Sequence, residues 1–161
     1  MARNAAVKVI ALLTAPTGMN AELAELGAAE RMVLPEIGPQ QLLRQNVAAD
    51  LTERTGEVQY PVVHVYCEKL SNEMREKFRR FSGRAFMAVE ARVSQDRLED
   101  IERVLQMYVD AVTRVLDDNR GDWGGGMFYA GGYEAVFSPV KRGGKNFAQT
   151  AKVTFEVGVS N

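Results

Sequence analysis

The segment Phe147-Ala148-Gln149-Thr150-Ala151-Lys152-Val153-Thr154-Phe155-Glu156-Val157-Gly158-Val159 decides how the chain is read. Side chains alternate across a strand. Phe147, Gln149, Ala151, Val153, Phe155, Val157 and Val159 therefore share one face, and Ala148, Thr150, Lys152, Thr154 and Glu156 the other. One largely apolar face and one polar face mark a half-buried strand. Its length far exceeds the about 5–6 residues usual for a strand. It is therefore expected to run past its own sheet and pair with something else.

Working outward, residues 84–93 alternate in the same way. Ala85, Met87, Val89, Ala91 and Val93 lie on one face, with Glu90 and Arg92 on the other. Residues 60–67 are rich in valine and tyrosine and read as a buried strand, with Pro61 marking an edge or a beginning. Asp96 with Glu99 three residues later fits a capping-box pattern. It precedes a helix with Leu98, Ile101, Leu105, Tyr108, Val109, Val112 and Leu116 on one side. Residues 119–126 form a glycine-rich break. Residues 133–137 read as a further strand, joined to the last one by a loop holding Ser138-Pro139 and Arg142-Gly143-Gly144-Lys145.

Upstream, Val7, Ile10 and Leu13 predict a short helix over residues 4–13. Asn20 is the expected cap of a second helical run containing Leu23 and Leu26, with Gly27 a weak point. Prolines and Gly38 punctuate a loop over 33–39, and Leu43, Val47 and Leu51 predict a third helix over 40–54. The sequence thus divides into a helical region, 1–56, packed on a core, 57–161, the whole making one domain. Directly joined strands and interspersed helices predict an α+β two-layer design: an antiparallel or mixed sheet, helices on one face, and an extended hairpin arm.

At 161 residues the chain can bury roughly 70% of its unfolded surface and needs no disulfide or metal to hold a core. A formal net charge of −1 argues against a dedicated nucleic-acid binder, which normally carries a basic excess. The one cysteine, Cys67, excludes an intramolecular disulfide and suits a reducing compartment. No secretory leader is expected from residues 1–18, where Pro16 and Gly18 soon interrupt the apolar run, and no stretch approaches the about 20 apolar residues of a membrane span.

Candidate chemistry is sparse. His64 is the only histidine, which removes most zinc sites and every His-paired triad. It stands between valines and reads as a structural histidine. Cys67, three residues on, belongs to the opposite strand face, so a Cys–His nucleophile pair is not expected. The glycines of 121–126 and 143–144 lack the strand-before, helix-after setting and the Lys-Ser/Thr pair of a phosphate loop. Asp96, Glu99, Asp100 and Glu102 read as a solvated face at the start of a helix. The expectation is a protein without a catalytic site, cofactor or metal.

One stretch stands apart. Residues 69–84 carry Lys69, Arg75, Lys77, Arg79, Arg80 and Arg84 against only Glu73 and Glu76, interleaved with Met74, Phe78 and Phe81. A solvated basic hairpin is the plain reading. An interaction arm with Arg75, Lys77, Phe78, Arg79, Arg80, Phe81 and Arg84 as its contact residues is the sharper one. The acidic start of the long helix is a candidate docking surface for that arm on a neighbouring copy, in a head-to-tail arrangement.

In the order of these elements the chain resembles the tail-terminator proteins of long-tailed phages, similar to the lambda-type minor tail protein U family. The resemblance covers residues 57–161. It lies in the strand Tyr60-Pro61-Val62-Val63-His64-Val65-Tyr66, the charged excursion to Arg84, the strand ending at Val93, the helix opening after Ser94-Gln95-Asp96, the glycine-rich break and the terminal Gln149–Val157 segment. The region before residue 57 is longer than the lambda-type start. The resemblance implies a structural virion protein of the tail or neck, assembled in the host cytoplasm as a homo-oligomeric ring, a hexamer. It further implies contact with the tail tube protein on one face and a head-completion or connector protein on the other, with no reaction, cofactor or membrane. DNA would pass through the lumen without specific contact, and the loop bearing Lys141, Arg142 and Lys145 is the candidate to face the tube or that lumen. A head-closure or adaptor protein, a small enzyme and a nucleic-acid-binding module are the alternatives.

Overall fold

The computed structural model describes residues 1–48, 58–74 and 76–161. Among these, three helices lie on one face of an eight-stranded sheet. The helices are α1 (Ala2–Leu13), α2 (Met19–Glu30) and α3 (Ile101–Asp118). The strands are β1 (Leu42–Leu43), β2 (Val62–Asn72), β3 (Ser82–Gln95), β4 (Gly121–Gly124), β5 (Met127–Tyr129), β6 (Tyr133–Phe137), β7 (Lys141–Gly143) and β8 (Asn146–Ser160). β1 runs parallel to β2 and every other pairing is antiparallel. The architecture is the expected α+β domain with a mixed sheet.

β8 is the spine, and it corrects the expectation that the long strand reaches another chain. On one side it pairs with β3 along its whole length, from Gln95↔Phe147 to Ser82↔Ser160. On the other side β7, β6 and β5 follow one another, at Lys141↔Ala148, Tyr133↔Phe155 and Phe128↔Gly158 among other pairs. Between β6 and β7, Ser138 fills the gap: its backbone N–H and its hydroxyl both reach the Thr150 carbonyl at 2.9 Å. The length of β8 is thus used within its own sheet.

The alternation predicted for β3 and β8 holds. Ala85, Met87, Val89, Ala91 and Val93, with Ala151, Val153, Phe155, Val157 and Val159, are buried and share one core with the helices. α3 contributes Ile101, Leu105, Tyr108, Val109, Val112 and Leu116 as expected. Its beginning differs: Asp100, with φ 63°, occupies the N-cap without a side-chain cap bond, and Leu98 is exposed. The chain turns through residues 96–100 before the helix starts, so the Asp96–Glu99 capping box does not form.

The N-terminal third departs further. α1 buries Ala5, Ala6, Val9 and Leu13, and leaves Val7 exposed. Asn20 does not cap α2, which begins at Met19 after Gly18; its side chain instead holds both the N–H (2.8 Å) and the C=O (3.1 Å) of Ile37. Gly27 is no weak point but a crossing: a Cβ there would lie 2.5 Å from the Met32 carbonyl, where the chain doubles back through left-handed Arg31. The predicted helix over 40–54 is replaced, where described, by β1 at Leu42–Leu43, in parallel register with Val63 and His64. Its remainder from 49 onward lies outside the described residues. The glycine-rich break of 119–126 is largely a hairpin, β4 to β5, and part of the loop before β8 is the short strand β7.

Candidate interaction surfaces

The sheet register fixes where the two basic features lie. The β2–β3 loop, 73–81, sits beside Ser160 and Asn161 at one end of β8. The β7–β8 turn, with Lys141, Arg142 and Lys145, sits at the other end beside Asn146. At about 3.3 Å per residue, roughly 40 Å of β8 separates them. Residue spacing alone does not reveal this separation, because it depends on a pairing between residues far apart in the chain.

Of the predicted arm residues, Lys77, Phe78, Arg79 and Arg80 are exposed, and Phe78 is 100% exposed. Arg79 pairs with Glu76 at 3.4 Å, while Lys77 and Arg80 have no ion-pair partner among the described residues. Two candidates are placed differently from the rest. Phe81 is 7% exposed and belongs to the core, its backbone exchanging hydrogen bonds with Asn161 at 2.8 and 3.0 Å. Arg84 lies on the sheet face away from the helices, bridging Glu73 at 3.1 Å and Glu156 at 2.7 Å. Arg75 lies outside the described residues. β2 and β3 are flanked to their ends by the sheet, so the projecting part is a loop rather than a long arm.

At the opposite end, residues 96–100 and the loop after α2 frame a groove of about 630 Å³. Val93 and Val104 line it, with Val33, 96% exposed, beside them. Asp96, Glu99 and Asp100 stand on its rim with Arg97. Tyr108 donates its hydroxyl to the Pro35 carbonyl at 2.6 Å, which pins the loop forming the groove wall. The three carboxylates have no ion-pair partner among the described residues. No sequence period marks this groove, since its walls come from 32–35, 60–61 and 93–108.

A second groove, about 710 Å³, lies on the sheet face away from the helices, lined by Phe86, Phe128, Glu68, Glu134, Glu156 and Arg84 among others. Its charges are largely matched: Arg84 bridges Glu156, and Glu68 accepts from Lys152 at 2.9 Å.

The same sheet face carries a buried polar cluster that the strand pattern did not reveal. Arg92, 3% exposed, donates to Glu90 at 2.6 Å and to the Val47 carbonyl; Tyr66 donates to the other Glu90 oxygen at 3.1 Å. His64, 1% exposed, faces the same way, with no well-formed hydrogen bond to either ring nitrogen among the described residues. Burial, and then the Arg92 charge, hold its pKa below the ordinary 6.5, with Glu90 and the Gln45 backbone opposing. Cys67 points to the other face, as expected, against the core; burial pushes its thiol pKa up. Among the described residues no group of three or more His, Cys, Asp or Glu side chains is placed to hold a metal, and no helix is long and apolar enough to cross a membrane.

His64 gives a testable pH dependence. Above pH 6.5 it is neutral in both folded and unfolded chains. Below 6.5 the unfolded chain takes up a proton that the folded chain resists, so stability falls with pH, by at most about 1.4 kcal/mol per pH unit. Urea unfolding between pH 7 and 5.5 should show that decline, and His64→Gln should flatten it. Parallel curves for the two proteins would show that His64 protonates equally in both states.

A scan against protein-family models and a search of curated protein sequences both return no match to this chain.

Proposed function

We propose that the chain is a structural subunit of a phage tail or neck that works as a ring-forming tail terminator. The naming of the phage tail rests on the resemblance in element order over residues 57–161. The observation that supports ring formation is the polarity of the domain. Unpaired Lys77 and Arg80 and the exposed Phe78 stand at one end of β8; at the other stand an apolar-floored groove with the unpaired Asp96, Glu99 and Asp100 and, beside it, the exposed cations Lys141, Arg142 and Lys145 of the β7–β8 turn. A surface with two different complementary ends assembles head to tail, and such a contact closes into a ring where the rotation between neighbours allows it.

The action would be geometric. A closed ring offers one face that fits the end of the tail tube and a second face that does not accept a further tube subunit, so growth stops and a head-completion protein docks. The enclosure of β8 removes strand exchange through that strand from the account. The exposed cations Lys141, Arg142 and Lys145 lie clear of the core and suit contact with the tube or with DNA in the lumen.

The test is to add the purified protein to polymerising and preformed tail tubes and image the ends by electron microscopy. A ring on one end with arrested growth is expected. Bare ends and unchanged tube lengths would sink the terminator reading, and a ring found only on the head side would favour the adaptor alternative.

A further inference from the structure

We infer that the contact between neighbouring copies is a knob in a groove: Phe78 of one copy enters the 630 Å³ groove of the next, while Lys77 and Arg80 meet Asp96, Glu99 and Asp100 on its rim. This deepens the ring reading and rests on it. The loop's aromatic tip is wholly exposed, and seating it in a groove would remove its apolar surface from water. The groove offers Val93 and Val104 at its floor and the 96% exposed Val33 at its edge. It is several times larger than the phenyl ring needs, which leaves room for the loop backbone beside it.

Charge selects the pairing. Lys77 and Arg80 have no ion-pair partner within their own copy among the described residues, and neither do the three rim carboxylates. Arg97 is the one cation among the residues that line the groove, while Lys141, Arg142 and Lys145 stand on the neighbouring β7–β8 turn next to the lining residue Asn146. The two ends lie roughly 40 Å apart along β8. The loop of a copy therefore does not reach that copy's own groove. A second copy carries the matching loop. Aromatic anchors with flanking arginines are the residues that dominate contacts of this kind.

The experiment compares the wild type with Lys77→Glu/Arg80→Glu, with Asp96→Lys/Glu99→Lys and with Phe78→Ala. All five positions are solvent-exposed, and circular dichroism checks that each variant folds. Self-association is followed by sedimentation velocity over a concentration series, and ring formation on tail tubes by microscopy. Each variant alone should weaken association at least tenfold. Combining both charge reversals in one chain, or mixing the two reversed chains in equal amounts, should restore it, since every loop then faces a rim of opposite sign. Rings that form equally well with either reversal would overturn the knob-in-groove contact and leave the ring reading standing. Charge variants that fail singly and are rescued by neither combination would also overturn it. A wild type that stays monomeric both free and at tube ends would remove both.

Discussion

Phe155→Ala is expected to lower the unfolding free energy by about 3–5 kcal/mol, a large part of the about 5–15 kcal/mol that holds a domain of this kind. Phe155 is 4% exposed at the middle of β8, between Met87 on β3 and Tyr133 on β6. Its ring stands edge-on to Tyr129 at 5.5 Å and to Trp123 at 6.4 Å, and those two rings lie 5.3 Å from each other. Edge-to-face contacts add to the area buried. Backbone pairing on both sides of β8 holds the walls of the site apart, so the cavity left by alanine has little means to collapse. Trp123 is the only tryptophan, so its fluorescence in urea reports the loss directly. The midpoint should move down with the slope unchanged. A loss below about 1 kcal/mol would mean that the triad contributes little beyond filling space.

Glu90→Ala should cost a similar amount, about 3–5 kcal/mol, for an electrostatic reason. Glu90 accepts from Arg92 and from Tyr66 on the sheet face away from the helices. Arg92 is almost fully buried, and a buried guanidinium that loses a carboxylate keeps the cost of leaving water with less of the attraction that offset it. The discriminating comparison is Glu90→Ala/Arg92→Met, which removes both charges and should be more stable than Glu90→Ala alone. Equal instability of the two, measured in the same urea series, would assign the loss to packing and leave no coupling between the pair. Because Arg92 also ties the Val47 carbonyl to the sheet, Glu90→Ala should loosen residues 44–48 as well, which amide exchange would detect.

What was legible in the sequence was whatever depends on period. β3, β8 and α3 each bury one face, and each was readable from residue spacing. The helix predicted at 40–54 shows the limit: Leu43, Val47 and Leu51 have helical spacing, but Leu42 and Leu43 find ladder partners on β2 that local propensity cannot weigh. β4, β5 and β7 are glycine-containing or very short, and they exist because a neighbouring strand supplies their hydrogen bonds. The interaction surfaces divide in the same way. Phe78 and Phe81 look alike in the basic stretch, yet one is wholly exposed and the other is core, because Asn161 pairs with the Phe81 backbone. The acidic groove needed the α2–β1 loop to be placed beside the start of α3, through Tyr108 and Asn20, and no spacing rule foretells that.

The central position of β8 also sets the order in which the molecule can be made. Residues 146–160 supply the pairing for β3 on one side and for three short strands on the other, across separations of up to 78 residues, from Ser82 to Ser160. Contacts between residues so distant in sequence form slowly. During synthesis the helices and the β2–β3 hairpin can form early, but β3 keeps a bare edge until the last strand emerges. In that interval the nascent chain carries an open hydrogen-bonding template beside apolar side chains, the condition under which growing chains of the same kind stick to one another. High-level expression should therefore favour slow synthesis at low temperature, and a chain cut short before residue 146 should go to the insoluble fraction rather than persist as a smaller fold.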